Sequence, residues 1–569
     1  MTDAPAAPGV DPQLRARVES WLAEDPDPET RAELSDLLAA ADSDGPEADA
    51  ARAELADRFN GRLEFGTAGL RGALAAGPNR MNRVVVIRAA AGLAAYLRAR
   101  GGTSVVVGYD ARHGSATFAR DTCAVMVGAG LAATMLPRPL PTPVLAFAIR
   151  HLNADAGVMV TASHNPPQDN GYKVYLGDGV QIVPPADAEI SAAIDAVGSL
   201  GQVPRPAEGW DTLGEDVVDA YLDRAAHVPL PDTPRDLRIA YTPLHGVGRD
   251  IALAAFARAG FPAPAVVDVQ AQPDPDFPTV SFPNPEEPGA IDLAIALGQR
   301  IDADLVLAND PDADRCAAAA PFPDGWRILR GDELGALLAT HIATREPGIS
   351  GTFACSIVSS SLLGKIAAEH GLAYSETLTG FKWIARVPGL RFGYEEALGY
   401  CVDPGGVRDK DGVTAALLMA ELAATLKAEG RTIADVLDDL ARRYGLHATD
   451  QLAIRVADLS LRAAGMRRLR DSPPATLGGR DVERVDDLAA GVGGLPPTDG
   501  LRYVLSGGAR VVVRPSGTEP KLKCYLEVVE EIDGADVAPA RAQAAAVLEG
   551  FKDDLRVALG LTSVTEGVA

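Results

Sequence analysis

Two short stretches hold the residue types from which group-transfer chemistry is built. In Asn309-Asp310-Pro311-Asp312-Ala313-Asp314-Arg315 three carboxylates stand at alternate positions. Such crowding costs mutual repulsion unless a cation offsets it, and an all-oxygen donor set without His or Cys selects a hard ion such as Mg2+. A helix–loop–helix calcium site is excluded on detail, because it needs Gly at its sixth position and Glu at its twelfth, where Arg315 and Pro321 stand. In Thr161-Ala162-Ser163-His164-Asn165-Pro166 a hydroxyl nucleophile has an imidazole beside it and follows the apolar run Val158-Met159-Val160. No Gly-x-Ser-x-Gly elbow frames Ser163, which argues against an esterase serine. By its own residues the turn serves equally well to order a loop through side-chain hydrogen bonds. The three aspartates would leave coordination positions for a phosphate oxygen, and a phosphorylated Ser163 would fill one.

Three further loops carry the types that bind phosphate or sugar. Arg514-Pro515-Ser516-Gly517-Thr518-Glu519-Pro520-Lys521 combines a forked donor, two hydroxyls and a glycine that lets backbone N–H groups approach an anion, though a plain hairpin fits the same residues. Gly393-Tyr394-Glu395-Glu396-Ala397-Leu398-Gly399-Tyr400 presents adjacent carboxylates able to accept sugar hydroxyls, or else a solvated acidic loop. Phe65-Gly66-Thr67-Ala68-Gly69-Leu70-Arg71-Gly72 sets an arginine among glycines without the Gly-Lys-Ser/Thr ending of a P-loop.

The elements that must position these loops follow from periodicity. Residues 10–60 have helical spacing, as in Leu14, Val18, Leu22 and Leu34, Leu37, Leu38. From 84 an alternation begins: helix 84–100, strand 103–109, helix 115–130, strand 131–136, helix 142–151, strand 156–161. After an expected linker at 198–214 it restarts with strands at 237–242, 265–269 and 304–308 and helices at 247–259 and 288–300. A third unit begins with a helix near 331, then a strand at 352–358, a helix from Ser360 and a long helix at 411–428. Strands alternating with amphipathic helices imply mixed or parallel sheets covered on both faces. The tail differs, with strands at 448–455, 502–506, 509–514 and 521–529 and helices at 459–470 and 536–558, as in a smaller α+β domain. In each α/β unit an apolar strand runs into one of the polar loops, where open α/β sheets bind ligands.

Composition bounds the function classes. A length of 569 residues with 47% hydrophobic content implies several domains, and a formal charge of −25 argues against nucleic-acid binding. Five single cysteines fit a reducing compartment, and no apolar stretch is long enough for a membrane span. The expectation is a cytoplasmic protein acting on small molecules, with no nucleic-acid or membrane partner.

These five motifs, in this order from Phe65 to Lys523, resemble those of the α-D-phosphohexomutase superfamily, in its long phosphoglucomutase/phosphomannomutase branch that includes phosphopentomutases. The resemblance implies an α/β fold class: three related α/β domains with mixed sheets plus a C-terminal α+β domain around a central cleft. The boundaries expected are N-terminal helices 1–60 packed on domain 1 (61–210), domain 2 (211–328), domain 3 (329–446) and domain 4 (447–569). It implies that Ser163 is the phosphoserine, with His164 beside it, and that Asp310, Asp312 and Asp314 hold Mg2+ together with the Ser163 phosphate. Arg71 and Arg315 would contact the reacting phosphoryl group, Glu395 and Glu396 the sugar, and Arg514, Ser516, Gly517 and Thr518 the non-reacting phosphate. Thr379-Gly380-Phe381-Lys382 and Arg408-Asp409-Lys410-Asp411-Gly412 also look like family loops. The activity implied interconverts hexose 1-phosphate and hexose 6-phosphate, of glucose and of mannose, with glucose 1,6-bisphosphate as priming intermediate. His164, Lys173 and Lys410 are the candidates for the proton acceptor. Ala397 stands where many glucose-selective members have a serine, so ribose or deoxyribose 1-phosphate competes as substrate. A sugar-phosphate phosphatase would use the same serine and metal but admit water.

Overall fold

A computed structural model describes residues 9–346, 348–455, 459–515 and 521–560. The chain divides into two compact units. The first runs through Pro321 and includes Gly325–Ile328 and Gly399–Ala424; the second holds Phe322–Asp324, Leu329–Leu398 and the chain from Thr425.

The first unit opens with three helices, Pro12–Glu24, Pro28–Ala41 and Pro46–Arg58. Each begins on a proline, whose fixed φ and missing N–H suit a first helical turn, and Asp11 and Asp27 cap the first two by accepting from Leu14 and Glu29 N–H. Val18, Leu34, Leu55 and Phe59 close a small core among them, while Trp21 also packs on the core that follows.

That following core surrounds a six-stranded sheet in the order Leu70–Ala73, Asp169–Leu176, Ala156–Val160, Ser104–Tyr109, Ala132–Met135, Asp211–Thr212. Ala156–Val160, Ser104–Tyr109 and Ala132–Met135 are parallel, and every residue of Ala156–Val160 is buried, as a strand covered on both faces requires. Two strands lie outside the sequence expectation. Asp169–Leu176 runs antiparallel to Ala156–Val160, and Leu70–Ala73 antiparallel to it in turn; the Asp-Asn-Gly opening of the one and the glycines around the other read as loop. The expected linker at 198–214 is also partly ordered into the domain, since Leu200 is buried and Asp211–Thr212 pairs with Ala132–Met135.

A second sheet has the order Gly325–Ile328, Ala317–Phe322, Leu305–Ala308, Ile239–Thr242, Ala265–Val266. Its Ile239–Thr242 and Leu305–Ala308 are parallel, and Ala317–Phe322 returns antiparallel after the aspartate loop.

In the second unit Thr352–Ser356 lies between Ala373–Thr377 and Leu390–Glu395, parallel to both. The tail is an antiparallel sheet in the order Leu446–Arg455, Lys521–Glu530, Arg510–Pro515, Leu501–Leu505, Arg480–Asp487, Thr476–Leu477. Helices Leu459–Asp471 and Ala538–Leu559 cover one face through Met466, Leu469, Leu548, Phe551 and Leu555 packed on Leu501, Tyr503, Val511, Val513, Leu522 and Cys524. Strand Arg480–Asp487 was not expected, because its alternation is masked by charge. The five cysteines are free and buried, and no described helix is long and apolar enough to cross a membrane.

Candidate active site

Ser163 sits directly beyond strand Ala156–Val160 with φ 54, in the left-handed region that costs a non-glycine residue of order 1 kcal/mol. The surroundings enforce it. Ser163 N–H donates to Thr161 Oγ1 at 2.9 Å, and Arg112 donates to the Ser163 carbonyl at 2.6 Å. The hydroxyl Oγ lies 2.9 Å from Asp310 Oδ2 and 3.2 Å from His164 Nδ1. Burial, together with the cations Arg315 and Arg71, pushes His164 well below the usual imidazole range, so the ring is neutral.

The aspartate loop follows strand Leu305–Ala308 and turns through Ala313, whose φ is 52 and whose N–H donates to Asp310 O at 2.8 Å. Asn309 closes the turn, donating from Nδ2 to Arg315 O at 2.6 Å while its Oδ1 accepts from Tyr241 at 2.8 Å. Asp310, Asp312 and Asp314 are buried, and ligand oxygens from the three lie within 4.8 Å of one another. Lys173 Nζ donates to Asp312 Oδ2 at 2.7 Å and Asp314 Oδ2 at 3.0 Å, and Lys410 Nζ lies 3.2 Å from Asp314 Oδ2. Arg315 Nε is 3.8 Å from Asp310 Oδ2 and 3.9 Å from Asp314 Oδ1. Thr142, at the start of helix Thr142–His151, donates to Asp312 Oδ2 at 2.6 Å. The balance of burial against charge differs along the loop. Burial and the two sister carboxylates push Asp310 well up, whereas for Asp314 the cations Lys173, Lys410 and Arg315 outweigh burial and hold it far down. Burial alone would lower Lys173, but Asp312 and Asp314 raise it, so it stands as an ammonium.

One feature of this loop is unsatisfied. Asp312 Oδ1 and Asp314 Oδ1 are buried and accept no hydrogen bond. Leaving buried carboxylate oxygens without donors is expensive, and a hard cation that prefers oxygen ligands is the group that fits them. The residues therefore suit a Mg2+-type ion.

Arg71, on strand Leu70–Ala73, reaches Asn165 Oδ1 at 3.1 Å, and burial followed by the nearby Arg315 charge lowers it. Arg112 was not singled out in the sequence. It is buried, donates to the carbonyls of Ser163, Asn165, Pro166 (2.8 Å) and Asp169 (3.2 Å), lies 3.5 Å from Asp110, and covers the Phe277 ring at 4.9 Å. Its available signal was the pattern that marks the other loops, since apolar Ser104–Tyr109 runs straight into Asp110-Ala111-Arg112.

The second unit gathers the remaining candidates. Glu395 ends strand Leu390–Glu395. Glu396 follows, and its Oε2 accepts from Ser356 at 2.9 Å and Ser359 at 3.0 Å; burial and then Asp332 raise its pKa. That oxygen is thus committed to the protein. Arg514 lies on strand Arg510–Pro515, and burial raises the Tyr525 hydroxyl, which also feels the charges of Glu396, Arg514 and Glu395. Tyr525 is a second residue missed from sequence, and it brings the carboxylate loop and Arg514 to one place. Lys382 lies on the short helix Phe381–Ile384 after Gly380, φ 106. Ser516, Gly517 and Thr518 fall outside the described residues.

Comparison with known proteins gives this arrangement its family. Models of the phosphoglucomutase/phosphomannomutase family match in sequence order: alpha/beta/alpha domain I over residues 62–200, domain II over 219–321, domain III over 330–444, and the C-terminal domain over 452–544. A Haemophilus influenzae protein named "Probable phosphomannomutase" is 47% identical over 484 residues, 84% of this chain and 98% of that one. The phosphopentomutase of Mus musculus is 34% identical over 580 residues, 91% of each chain. The glucose 1,6-bisphosphate synthase of Homo sapiens is 34% identical over 585 residues, covering 93% of this chain and 92% of that one. The solved structure of a phosphoglucomutase/phosphomannomutase family protein from Burkholderia thailandensis shares the fold, with a TM-score of 0.67 at 21% identity over 87% of this chain and 97% of that one. With all four domains matched, the chain belongs to the phosphoglucomutase/phosphomannomutase family of the α-D-phosphohexomutase superfamily, and it is an isomerase of the mutase type.

Proposed function

We propose that this enzyme interconverts hexose 1-phosphate and hexose 6-phosphate, of glucose and of mannose, through a phosphorylated Ser163 and a 1,6-bisphosphate intermediate. The observation that carries the reading is Ser163 Oγ held 2.9 Å from Asp310, beside aspartates whose buried Oδ1 atoms lack donors. Asp310, Asp312, Asp314 and the Ser163 phosphate would hold a Mg2+ ion, which would supply Lewis-acid charge to the transferring oxygens.

The protein's share is positioning and charge balance, which is most of what phosphoryl transfer demands. The P–O bond to Ser163 breaks as one forms to the free sugar hydroxyl, the hydroxyl proton passes to a base, and the departing Ser163 Oγ takes up a proton to become the hydroxyl. His164, Lys173 and Lys410 are the candidates; the two lysines are ion-paired with Asp314, and His164 is the neutral one. We assign the proton to His164 and charge balance to the lysines. Arg71 and Arg315 offset the phosphoryl charge, while Arg514 and the 516–518 loop hold the other phosphate and Glu395, Glu396 and Lys382 the sugar. Once the intermediate has turned over, its second phosphate returns to Ser163 and glucose 1,6-bisphosphate re-primes any enzyme that loses the group. Free buried cysteines accord with work in the cytoplasm on small sugar phosphates.

Pentose 1-phosphate is the second reading, favoured by Ala397, which offers no side-chain hydroxyl to a sugar, and by the phosphopentomutase relative. Coupled assays on glucose, mannose and ribose 1-phosphates, with glucose 1,6-bisphosphate present, decide between them. The hexose reading expects the larger kcat/KM for a hexose; steady release of inorganic phosphate without isomer would mark a phosphatase instead.

A further inference from the structure

Lys410 reaches Asp314 from the segment Asp409-Lys410-Asp411, which lies between strand Gly399–Cys401 and helix Gly412–Ala428 and belongs to neither. A lysine carries its charge on a flexible stem, so an ammonium held at one carboxylate needs something to aim it. The buried carboxylates on either side of Lys410 do so. Asp409 Oδ1 accepts the Lys410 N–H at 2.8 Å and lies 3.7 Å from Lys410 Nζ, so the ammonium stands between Asp409 and Asp314. Asp411 Oδ1 accepts from the N–H groups of Val413 at 3.0 Å and Thr414 at 3.1 Å and thereby caps helix Gly412–Ala428.

Each carboxylate is held in turn by a tyrosine that the mechanism leaves unused. Tyr175 Oη donates to Asp409 Oδ2 at 2.8 Å, and Gln181 Nε2 donates to the same oxygen at 3.0 Å. Tyr221, on helix Asp216–Ala225, holds Asp411 from 3.0 Å. Both tyrosines are buried, and burial followed by the facing aspartate pushes each hydroxyl well up, so each stays a donor. The far end of the segment is pinned to the aspartate loop, since Gly412 N–H donates to Ala313 O at 3.2 Å and a Cβ on Gly412 would clash with Arg315 O. Tyr175 stands two residues from Lys173 on strand Asp169–Leu176 and so shares its face. One strand face thus sends Lys173 to Asp314 directly and reaches Lys410 through Asp409.

We infer that Tyr175 is a positioning residue that, through Asp409, keeps the Lys410 ammonium against Asp314, and that the charge so held weakens the aspartate loop's grip on its cation while supporting phosphoryl transfer. The inference rests on the proposed mutase function. Without the Tyr175 hydroxyl, Asp409 is a buried carboxylate short of a donor, and the nearest replacement is Lys410 Nζ. Drawing the ammonium off Asp314 removes a charge that repels a divalent ion and takes the same charge from the group in transfer. Ion binding should therefore tighten as turnover slows, whereas a distorted loop would lose both.

The test measures Mg2+ binding by calorimetry, without sugar, on enzyme shown by intact mass to carry no phosphoryl group, and kcat on glucose 1-phosphate with glucose 1,6-bisphosphate present. Wild type, Tyr175→Phe, Lys410→Met and the double variant are compared, with melting curves recorded alongside. Expected in Tyr175→Phe are Mg2+ bound roughly threefold more tightly and a kcat roughly tenfold lower. Adding Tyr175→Phe to Lys410→Met should lower kcat no further. Mg2+ binding that is weaker or unchanged in Tyr175→Phe, a wild type that binds no Mg2+, or kcat losses that add in the double variant would overturn the inference. Should Tyr175→Phe fail to fold, Gln181→Leu, which removes the other donor to Asp409 Oδ2, carries the same test. A wild type that binds Mg2+ yet is inert on glucose, mannose and ribose 1-phosphates would sink the proposed function, and the calorimetry would still decide the role of Tyr175.

Discussion

In the unit that carries Ser163, buried Asp310, Asp312 and Asp314 face Lys173, Lys410 and Arg315, and two of their oxygens meet no hydrogen-bond donor. In the other unit, half-buried Glu396 and buried Asp332 and Glu527 are held by serine hydroxyls, backbone N–H groups, Tyr394 and Arg510. The first arrangement keeps coordination capacity in reserve and surrounds it with fixed cationic charge, as a centre that binds an ion and passes a phosphoryl group needs. The second spends its oxygens on fixing geometry. Burial of a carboxylate therefore means different things in the two units, and the oxygens decide which: those left idle beside cations mark reactivity, those tied up in hydrogen bonds mark positioning.

The largest expected effect falls on the first unit. Ser163→Ala should lower mutase kcat by about three orders of magnitude or more while leaving the melting temperature close to wild type; substantial residual turnover would break the contrast. Arg112→Lys comes next. A single ammonium cannot reach four carbonyls, so kcat should fall roughly 10- to 100-fold with sugar-phosphate KM nearly unchanged. Arg514→Ala, in the second unit, should show the opposite split, a KM raised about tenfold with a smaller change in kcat. If Arg112→Lys acted on KM and Arg514→Ala on kcat, the division of labour would be wrong.

The smallest effect is on stability. Burial raises Asp332 from its ordinary 3.8 to about 6, so between those values the folded chain holds a proton that the unfolded chain releases. Stability must then fall as pH rises through that window, by at most on the order of 3 kcal/mol. Asp332→Asn should flatten the melting temperature between pH 4 and 6; an unchanged slope would remove Asp332 from the cause.

How much of this the sequence disclosed depended on where each residue's partners lie. Ser163 and the aspartates were legible because an apolar strand announces each loop and the residue types name the chemistry. The α/β rhythm was legible for the same reason, through periodicity. Arg112 shares the strand-to-loop signature, yet it serves backbone carbonyls, and a carbonyl leaves no trace in residue type. Strand Asp169–Leu176, which delivers Lys173, opens on turn-forming residues and gains one of its two pairings from Leu70–Ala73, far away in the chain. Tyr525 and the serine turn at residues 356–361 were hidden for a related reason. Their meaning comes from the tail sheet packing on residues 357–361, a contact between segments more than 100 residues apart, as Ser360 and Glu527 are by 167.

Whether Ser163 works phosphorylated is read out by peptide mass mapping after incubation with glucose 1,6-bisphosphate and Mg2+. Expected is one added phosphoryl group, confined to the peptide bearing Ser163, exchanged for that of an isotopically labelled sugar monophosphate while its stoichiometry holds, and absent from Ser163→Ala. A phosphoryl group on another residue, or an active enzyme that never carries one, would contradict it.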